Sequence, residues 1–338
     1  MATAQSGVGR RVRSLRRRLA RRWRIARSPR ASYVDLHRDY RRTLLLVSSI
    51  RSGSTWLSDI LEESLRCRMI FEPLRRDKVA LAQGVPWGRY ADPDETDPEL
   101  DEVLDRILTG RVRSRWSDKF NRYRLPQRRL VKEVRATNLL PRIAAHFPDM
   151  PVVYLLRHPV PTAWSAVELQ WKPYLKEFLD QAPLLAGPLA PFGDAIVEQS
   201  AHGSPFQKHI LRWCLENYIP VNGLAPESAH VVFYENVVED PEGELSRLGR
   251  YLDGFSHGGW HMDSARPPAV DLPSRANYRD TPVLAADARL RAWRDEVPED
   301  DIAAALELVR LFGLNRIYDS DVRPLIGPDA VLTGKSSR

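Results

Sequence analysis

The stretch from Thr43 to Leu65 constrains this chain more than any other. Thr43–Ser48 (TLLLVS) is a continuous apolar run, the pattern of a strand buried on both faces. Ser49–Gly53 is a short polar loop. Ser54–Leu65 then places Trp56, Leu57, Ile60, Leu61 and Leu65 on one side of a helix. A strand, a tight loop and a helix in this order make an anion-binding corner. The first N–H groups of the helix face the loop, and the helix dipole favours negative charge there. Gly53 lets the backbone turn and approach a ligand. Two hydroxyls and the Arg51 guanidinium add donors. A nucleotide P-loop would read G-x-x-x-x-G-K-[ST]. Here Ser48 stands at the first Gly and Ser54 at the Lys, with Arg51 supplying charge from an earlier position. The plain alternative is a helix capped by Ser52 or Ser54.

The rest of the chain alternates in the same way. Leu130–Val134, Pro151–Leu156 and His230–Tyr234 read as strands. Glu99–Leu108, Leu139–His146, Pro161–Gln170, Lys208–Tyr218, Pro241–Leu252 and Asp300–Phe312 read as helices. Residues 84–99, 173–206 and 254–279 read as loops, with a lid in the second of these. Alternating strands and helices imply a three-layer α/β/α fold with a central parallel sheet. Ligands of such sheets sit at the carboxyl ends of the strands. That places Ser49–Thr55, Arg157 and the residues after Tyr234 on one edge. Arg157 ends a strand, and Ser165 lies eight residues on, inside the next helix. An arginine there can grip a phosphate with two N–H groups, and the serine can add a hydroxyl. The alternatives are a surface ion pair for Arg157 and a solvent-facing helical serine for Ser165.

Arg51–Leu57 (RSGSTWL) after a buried strand resembles the 5′-phosphosulfate loop of sulfotransferases that use 3′-phosphoadenosine 5′-phosphosulfate (PAPS). Arg157 and Ser165 have the spacing of that family's 3′-phosphate element, although His158 stands where the family often has Asp or Asn. Val231–Pro241 (VVFYENVVEDP) resembles its YE-x-x-x-x-x-P segment. The resemblance spans roughly residues 43–320, carried by a few short blocks. It implies a P-loop-kinase-like sulfotransferase fold and PAPS as co-substrate. Arg51, Ser52, Gly53, Ser54, Thr55, Trp56, Arg157 and Ser165 would then hold the donor, with Trp56 against the adenine. Ser274 and Arg275 are weaker candidates for the 3′-phosphate, because the family's Arg-Lys-Gly signature is missing.

Sulfuryl transfer needs cations where charge develops and a base for the acceptor proton. Arg51 is placed to stabilise the leaving oxygen. Lys132 is similar to the family lysine that contacts the sulfuryl group, the alternative being a snorkelling surface lysine. Phenol- and steroid-type relatives carry a catalytic His two residues after that lysine; here the position is Val134. Glu72, in Ile70–Leu74 (IFEPL), resembles the base of carbohydrate-type members. Burial against Phe71 and Leu74 is expected to raise its pKa. An ion pair with Arg75 or Arg76 is the alternative, and Glu168 is the reserve base. The acceptor expected from this likeness is a hydroxyl of a carbohydrate, glycolipid or glycosylated metabolite. Trp87, Trp116 and Trp171 are candidates to stack on sugar rings, with core or lid packing the favoured alternative for each.

Charge is uneven. Residues 1–42 contain fourteen arginines and two acids, whereas the remainder holds 37 basic and 42 acidic side chains. Val12, Leu15, Leu19 and Trp23 fall on one helical face of this basic segment. We therefore expect a tail (1–42), disordered or an amphipathic helix on an anionic membrane surface, a domain at 43–320 and a C-terminal tail at 321–338. Nucleic acid is not an expected partner, and the expected location is cytoplasmic, peripheral at the inner membrane surface. Two cysteines build neither a disulfide framework nor a zinc site, and the histidines show no metal-ligand spacing. No metal is expected. The competing classes are a P-loop small-molecule kinase, disfavoured by the missing Gly-Lys pair, and a non-catalytic nucleotide-binding module.

Overall fold

The computed structural model describes residues 33–262 and 286–333. Its centre is a five-stranded sheet in the order β2-β3-β1-β4-β5. The strands are β1 (Thr43–Ser48), β2 (Arg68–Phe71), β3 (Arg129–Glu133), β4 (Val152–Leu156) and β5 (His230–Phe233). Every pairing is parallel. The helices are α1 (Ser54–Leu65), α2 (Pro98–Leu108), α3 (Leu140–His146), α4 (Pro159–Glu168), α5 (Lys176–Leu179), α6 (Ala182–Ala186), α7 (Gly193–His202), α8 (Pro205–Gly223), α9 (Tyr234–Glu239), α10 (Pro241–Asp253), α11 (Ala286–Glu296) and α12 (Glu299–Leu311).

Successive strand residues point to opposite faces of a sheet. So β1 sends Leu44 and Leu46 into one core, with α1, α9 and α10, and Leu45 and Val47 into the other, with α2, α3, α4, α8 and α12. The result is the expected three-layer α/β/α arrangement. It also explains why β1 is apolar at every inner position.

The order of the strands decides where a ligand can sit. The chain leaves β1 toward β2 and β3 on one side, then crosses to β4 and β5 on the other. Between β1 and β4 the connections diverge, which opens a crevice at their carboxyl ends. The loops after these two strands carry Arg51 and Arg157.

Some elements differ from the sequence expectation. β2 has only four residues (RMIF), too few to show a period. The expected loop-and-lid segment 173–206 contains α5, α6 and α7. α8 starts earlier than expected because Ser204 and Gln207 form a reciprocal capping box ahead of it, with Pro205 in the first turn, and it runs on past Tyr218 through Pro220 to Gly223. Before β1, Asp35 is buried between Arg68 (3.2 Å) and Arg129 (3.0 Å), closing the amino end of the sheet. No described helix is long and apolar enough to cross a membrane.

Candidate active site

The first loop turns through two left-handed residues, Arg51 (φ 60°) and Gly53 (φ 85°). Gly53 is the N-cap of α1, and no side chain caps the helix. The serine-capped helix is therefore not what forms. Intrahelical bonding begins with Leu57 N–H donating to the Gly53 carbonyl at 3.1 Å, and the first N–H groups of any helix have no intrahelical acceptor. The Ser52 hydroxyl is buried with no hydrogen-bond partner. A Cβ on residue 53 would lie 2.5 Å from the Tyr234 ring, so glycine is required by both backbone and space. Ser54 is buried and Thr55 half-buried in the first turn of α1.

The second motif meets the first directly. Arg157 leaves the end of β4 and donates through Nη1 to the Arg51 carbonyl at 2.8 Å. Its Nε is buried without a partner, and its guanidinium lies 4.2 Å from the Tyr234 ring centroid. Ser165 Oγ, in α4, accepts a 3.0 Å bond from Arg51 Nε. The surface ion pair and the solvent-facing serine are thus replaced by one contiguous cluster across the crevice. Its unpartnered donors fit an anion: Ser52 Oγ and Arg157 Nε are buried polar groups of a kind that native structures normally satisfy.

Trp56 is 5% exposed and meets Tyr234 edge-on, 5.9 Å between centroids at 66°. A cation the sequence reading did not single out covers this pair. Arg289 of α11 lies 4.6 Å over Trp56 and donates from Nε to the Tyr234 hydroxyl at 2.7 Å. No local pattern around Arg289 marks it; only the docking of α11 brings it here. Ser274 and Arg275 lie outside the described residues.

Glu72 stands just after β2, in a left-handed conformation (φ 43°). Its Oε1 accepts from Lys132 Nζ at 2.8 Å, and its Oε2 from Arg135 Nη1 at 3.0 Å. The partners are neither Arg75 nor Arg76. The expected upward pKa shift is also corrected. Burial does push the carboxyl up, but the Lys132 and Arg135 charges and their hydrogen bonds outweigh it, and the pKa falls to about 2. Lys132 is not a snorkelling surface residue: it is 2% exposed on β3. Arg135, also missed from sequence, is pinned by Glu133 (3.3 Å) and lies over Trp87 (4.1 Å).

Three tryptophan rings lie against cationic side chains. Trp116 contacts Lys119 (3.3 Å to the centroid) and Arg75 (4.3 Å). Burial lowers the Lys119 pKa to about 8, with the Glu72 charge working in the opposite direction. Trp87 stacks on Tyr174 at 5.2 Å and 12°, and Trp171 lies 5.4 Å from the Arg51 guanidinium. Val134, where phenol-type enzymes carry the histidine, is 4% exposed and apolar. Among the described residues, no three His, Cys, Asp or Glu side chains converge as metal ligands.

The crevice thus places an arginine- and hydroxyl-lined loop after β1 and an arginine after β4 side by side at the carboxyl edge of the sheet. Residues 44–254 match the Sulfotransferase family, which covers more than half of the chain, so the protein belongs to that family and is a sulfotransferase. Among solved structures, it is similar to the sulfotransferase domain from the curacin biosynthetic pathway (18% identity, 75% of this chain and 98% of that one, TM-score 0.37). It is also similar to a sulfotransferase from Alicyclobacillus acidocaldarius (15% identity, 79% and 95%, TM-score 0.36). A third is retinol dehydratase in complex with androsterone and the inactive cofactor PAP (16% identity, 84% and 82%, TM-score 0.35). No curated protein sequence matches.

Proposed function

We propose that this enzyme transfers a sulfuryl group from PAPS to a hydroxyl of a carbohydrate, glycolipid or glycosylated metabolite. The observation that carries the donor assignment is the pair of buried, unpartnered donors, Ser52 Oγ and Arg157 Nε, in one cluster with Arg51 and Ser165. The α1 amino terminus, Ser52, Ser54 and Thr55 would hold the 5′ end, and Arg157 with Ser165 the 3′-phosphate. Trp56 would contact the adenine. PAPS, when bound, supplies the activated sulfuryl group. Arg51 then stabilises charge on the leaving oxygen, and Lys132 holds the sulfuryl oxygens.

Glu72 is the proposed base. It is ionised at any working pH, but two cations on one carboxylate make a weak proton acceptor. Arg135 has Glu133 as a second anion; Lys132 is the partner with the single ion pair to Glu72. When Lys132 turns toward sulfuryl oxygens, Glu72 loses one cation and its basicity rises. The carbohydrate class rests on Glu72 in place of a histidine, and on Trp87, Trp116 and Trp171, which lie against Arg135, Lys119 and Arg51. Peripheral attachment to an anionic membrane rests on the fourteen arginines of residues 1–42.

The direct test is a thermal-shift series with adenosine 3′,5′-bisphosphate, 5′-AMP and ATP–Mg²⁺, followed by turnover with PAPS over a panel of sugars, glycolipids and phenols. The bisphosphate should raise the melting temperature most, and sugar hydroxyls should be sulfated. Preference for ATP–Mg²⁺ would replace the donor reading by a kinase, and turnover confined to phenols would remove the carbohydrate class.

A further inference from the structure

Arg157 is held at its backbone as well as through its side chain. The Trp213 indole N–H donates to the Arg157 carbonyl at 3.1 Å. The next peptide N–H, of His158, donates to Glu235 Oε1 at 3.0 Å. Glu235 Oε2 accepts the Tyr318 hydroxyl at 2.9 Å. Both side chains are buried, Glu235 at 2% exposure and Tyr318 at 0%. His158 is tied to the same segment: its Nε2 bonds the Asp319 carbonyl at 2.9 Å, and its ring stacks on Trp293 at 4.9 Å. Its Nδ1 accepts the Val160 N–H at 3.2 Å, so the ring is the neutral Nε2–H form.

We propose that Glu235 and Tyr318 are positioning residues for the donor site, a chain of two buried hydrogen bonds through which the segment after α12 sets the angle at which Arg157 leaves β4. This deepens the donor reading above and rests on it. A buried carboxylate with only neutral hydrogen-bond partners is expensive in a packed core, and burial pushes the Glu235 pKa up. An apolar residue would avoid that cost only by leaving the buried His158 N–H and Tyr318 hydroxyl unpaired. What the carboxylate supplies is two acceptor oxygens on opposite sides, and one of them faces the peptide that follows Arg157. The segment around Tyr318 is some 160 residues away in the chain, so its bonds restrain the strand end without belonging to it. A misaimed Arg157 would lose its bond to the Arg51 carbonyl, and with it the alignment of both anion loops.

The test compares opposite ends of β4. Tyr251 bonds the Val152 backbone at the amino end through its hydroxyl, at 3.0 Å and 3.1 Å. The variants are Tyr318→Phe, Glu235→Leu, Glu235→Gln and, as control, Tyr251→Phe. Each is read by melting temperature, by Kd for adenosine 3′,5′-bisphosphate, and by KM for PAPS against kcat. Tyr318→Phe should weaken bisphosphate binding about 5–10-fold, the loss of one buried hydrogen bond, and raise KM with kcat held within about twofold. Glu235→Leu should weaken it further. Glu235→Gln keeps an acceptor for His158 and a donor for the Tyr318 oxygen, and should restore affinity to within about twofold of wild type. Tyr251→Phe should lower the melting temperature without changing Kd. Tyr318→Phe behaving like Tyr251→Phe overturns the proposal, and it decides alone if Glu235→Leu does not fold. Wild-type enzyme that binds no bisphosphate removes the donor reading itself, and the proposal with it.

Discussion

Arg51 and Ser165 are 114 positions apart in the chain and 3.0 Å apart in the fold, joined by a hydrogen bond from Nε to Oγ. The contact spans the β1–β4 crevice and links the loop after β1 to helix α4. Replacing Ser165 with Ala should weaken adenosine 3′,5′-bisphosphate binding about 5–10-fold, one charge-assisted hydrogen bond. Ser165 is half-buried, and the fold should lose no more than about 1 kcal/mol. Calorimetric titration and urea unfolding measure the two effects. Unchanged affinity would detach Ser165 from the donor site.

Gly53→Ala is expected to be severe for its size. The added Cβ would meet the Tyr234 ring at 2.5 Å, in a left-handed backbone (φ 85°). Strain at such positions amounts to about 1–3 kcal/mol. The variant should melt lower and lose bisphosphate binding, because the loop must move to admit the methyl group. Retention of wild-type affinity would show that the loop does not approach the ligand as closely as the site requires.

Glu72→Gln leaves Lys132 and Arg135 facing a neutral amide. Breaking one partner of a buried ion pair is destabilising by about 3–5 kcal/mol, and turnover should fall at least 100-fold while bisphosphate binding persists. Full activity would eliminate Glu72 as base. Because the Glu72 pKa lies near 2 in the ligand-free enzyme, the acid limb of kcat/KM should fall below pH 4. In Lys132→Met one of the two depressing charges is gone, so the acid limb should move to higher pH. A pH–rate profile of both enzymes checks the direction.

Acid stability follows from three buried histidines. Burial lowers His158 to about 4, His209 to about 4 and His230 to about 3. An unfolded chain takes up these protons near pH 6.5. Between pH 6.5 and 4 the unfolded state therefore binds more protons, and stability falls as pH falls. Each site adds up to about 1.4 kcal/mol per pH unit near pH 5, opposed in part by Glu133 and Glu235, whose burial raises their pKa values and lets the folded state bind protons there. The Glu72 contribution is fully present above its unfolded pKa near 4.5 and is lost below that, toward pH 2. Urea unfolding at a series of pH values reads the slope; a flat profile from pH 7 to 4.5 would contradict the histidine environments.

Arg289→Met removes the guanidinium over Trp56 while keeping the length of the side chain. A cation–π contact and one hydrogen bond to Tyr234 are at stake, about 1–2 kcal/mol together. Bisphosphate affinity should change by roughly tenfold if Arg289 takes part in the adenine side of the site. An unaltered Kd would make Arg289 a packing residue only.

Local pattern determined four of the five strands and the two loops that carry Arg51 and Arg157. β1 and α1 have the bounds that their apolar spacing implies, and Arg51 and Arg157 follow β1 and β4 at the carboxyl edge of the sheet. Four-residue β2 and the short helices of 173–206 were not legible, since a period cannot show in so few residues. The charge state of Glu72 was beyond sequence as well. Phe71 and Leu74 beside it suggest burial and a raised pKa; only the pairing of β2 with β3 sets Lys132 and Arg135 against the carboxylate and reverses the sign. The contacts of Arg289 with Tyr234 and of Tyr318 with Glu235 come from the far end of the chain in the same manner. Hydrophobic periodicity is a property of neighbours in sequence, whereas an electrostatic environment is a sum over neighbours in space, and the fold alone supplies those.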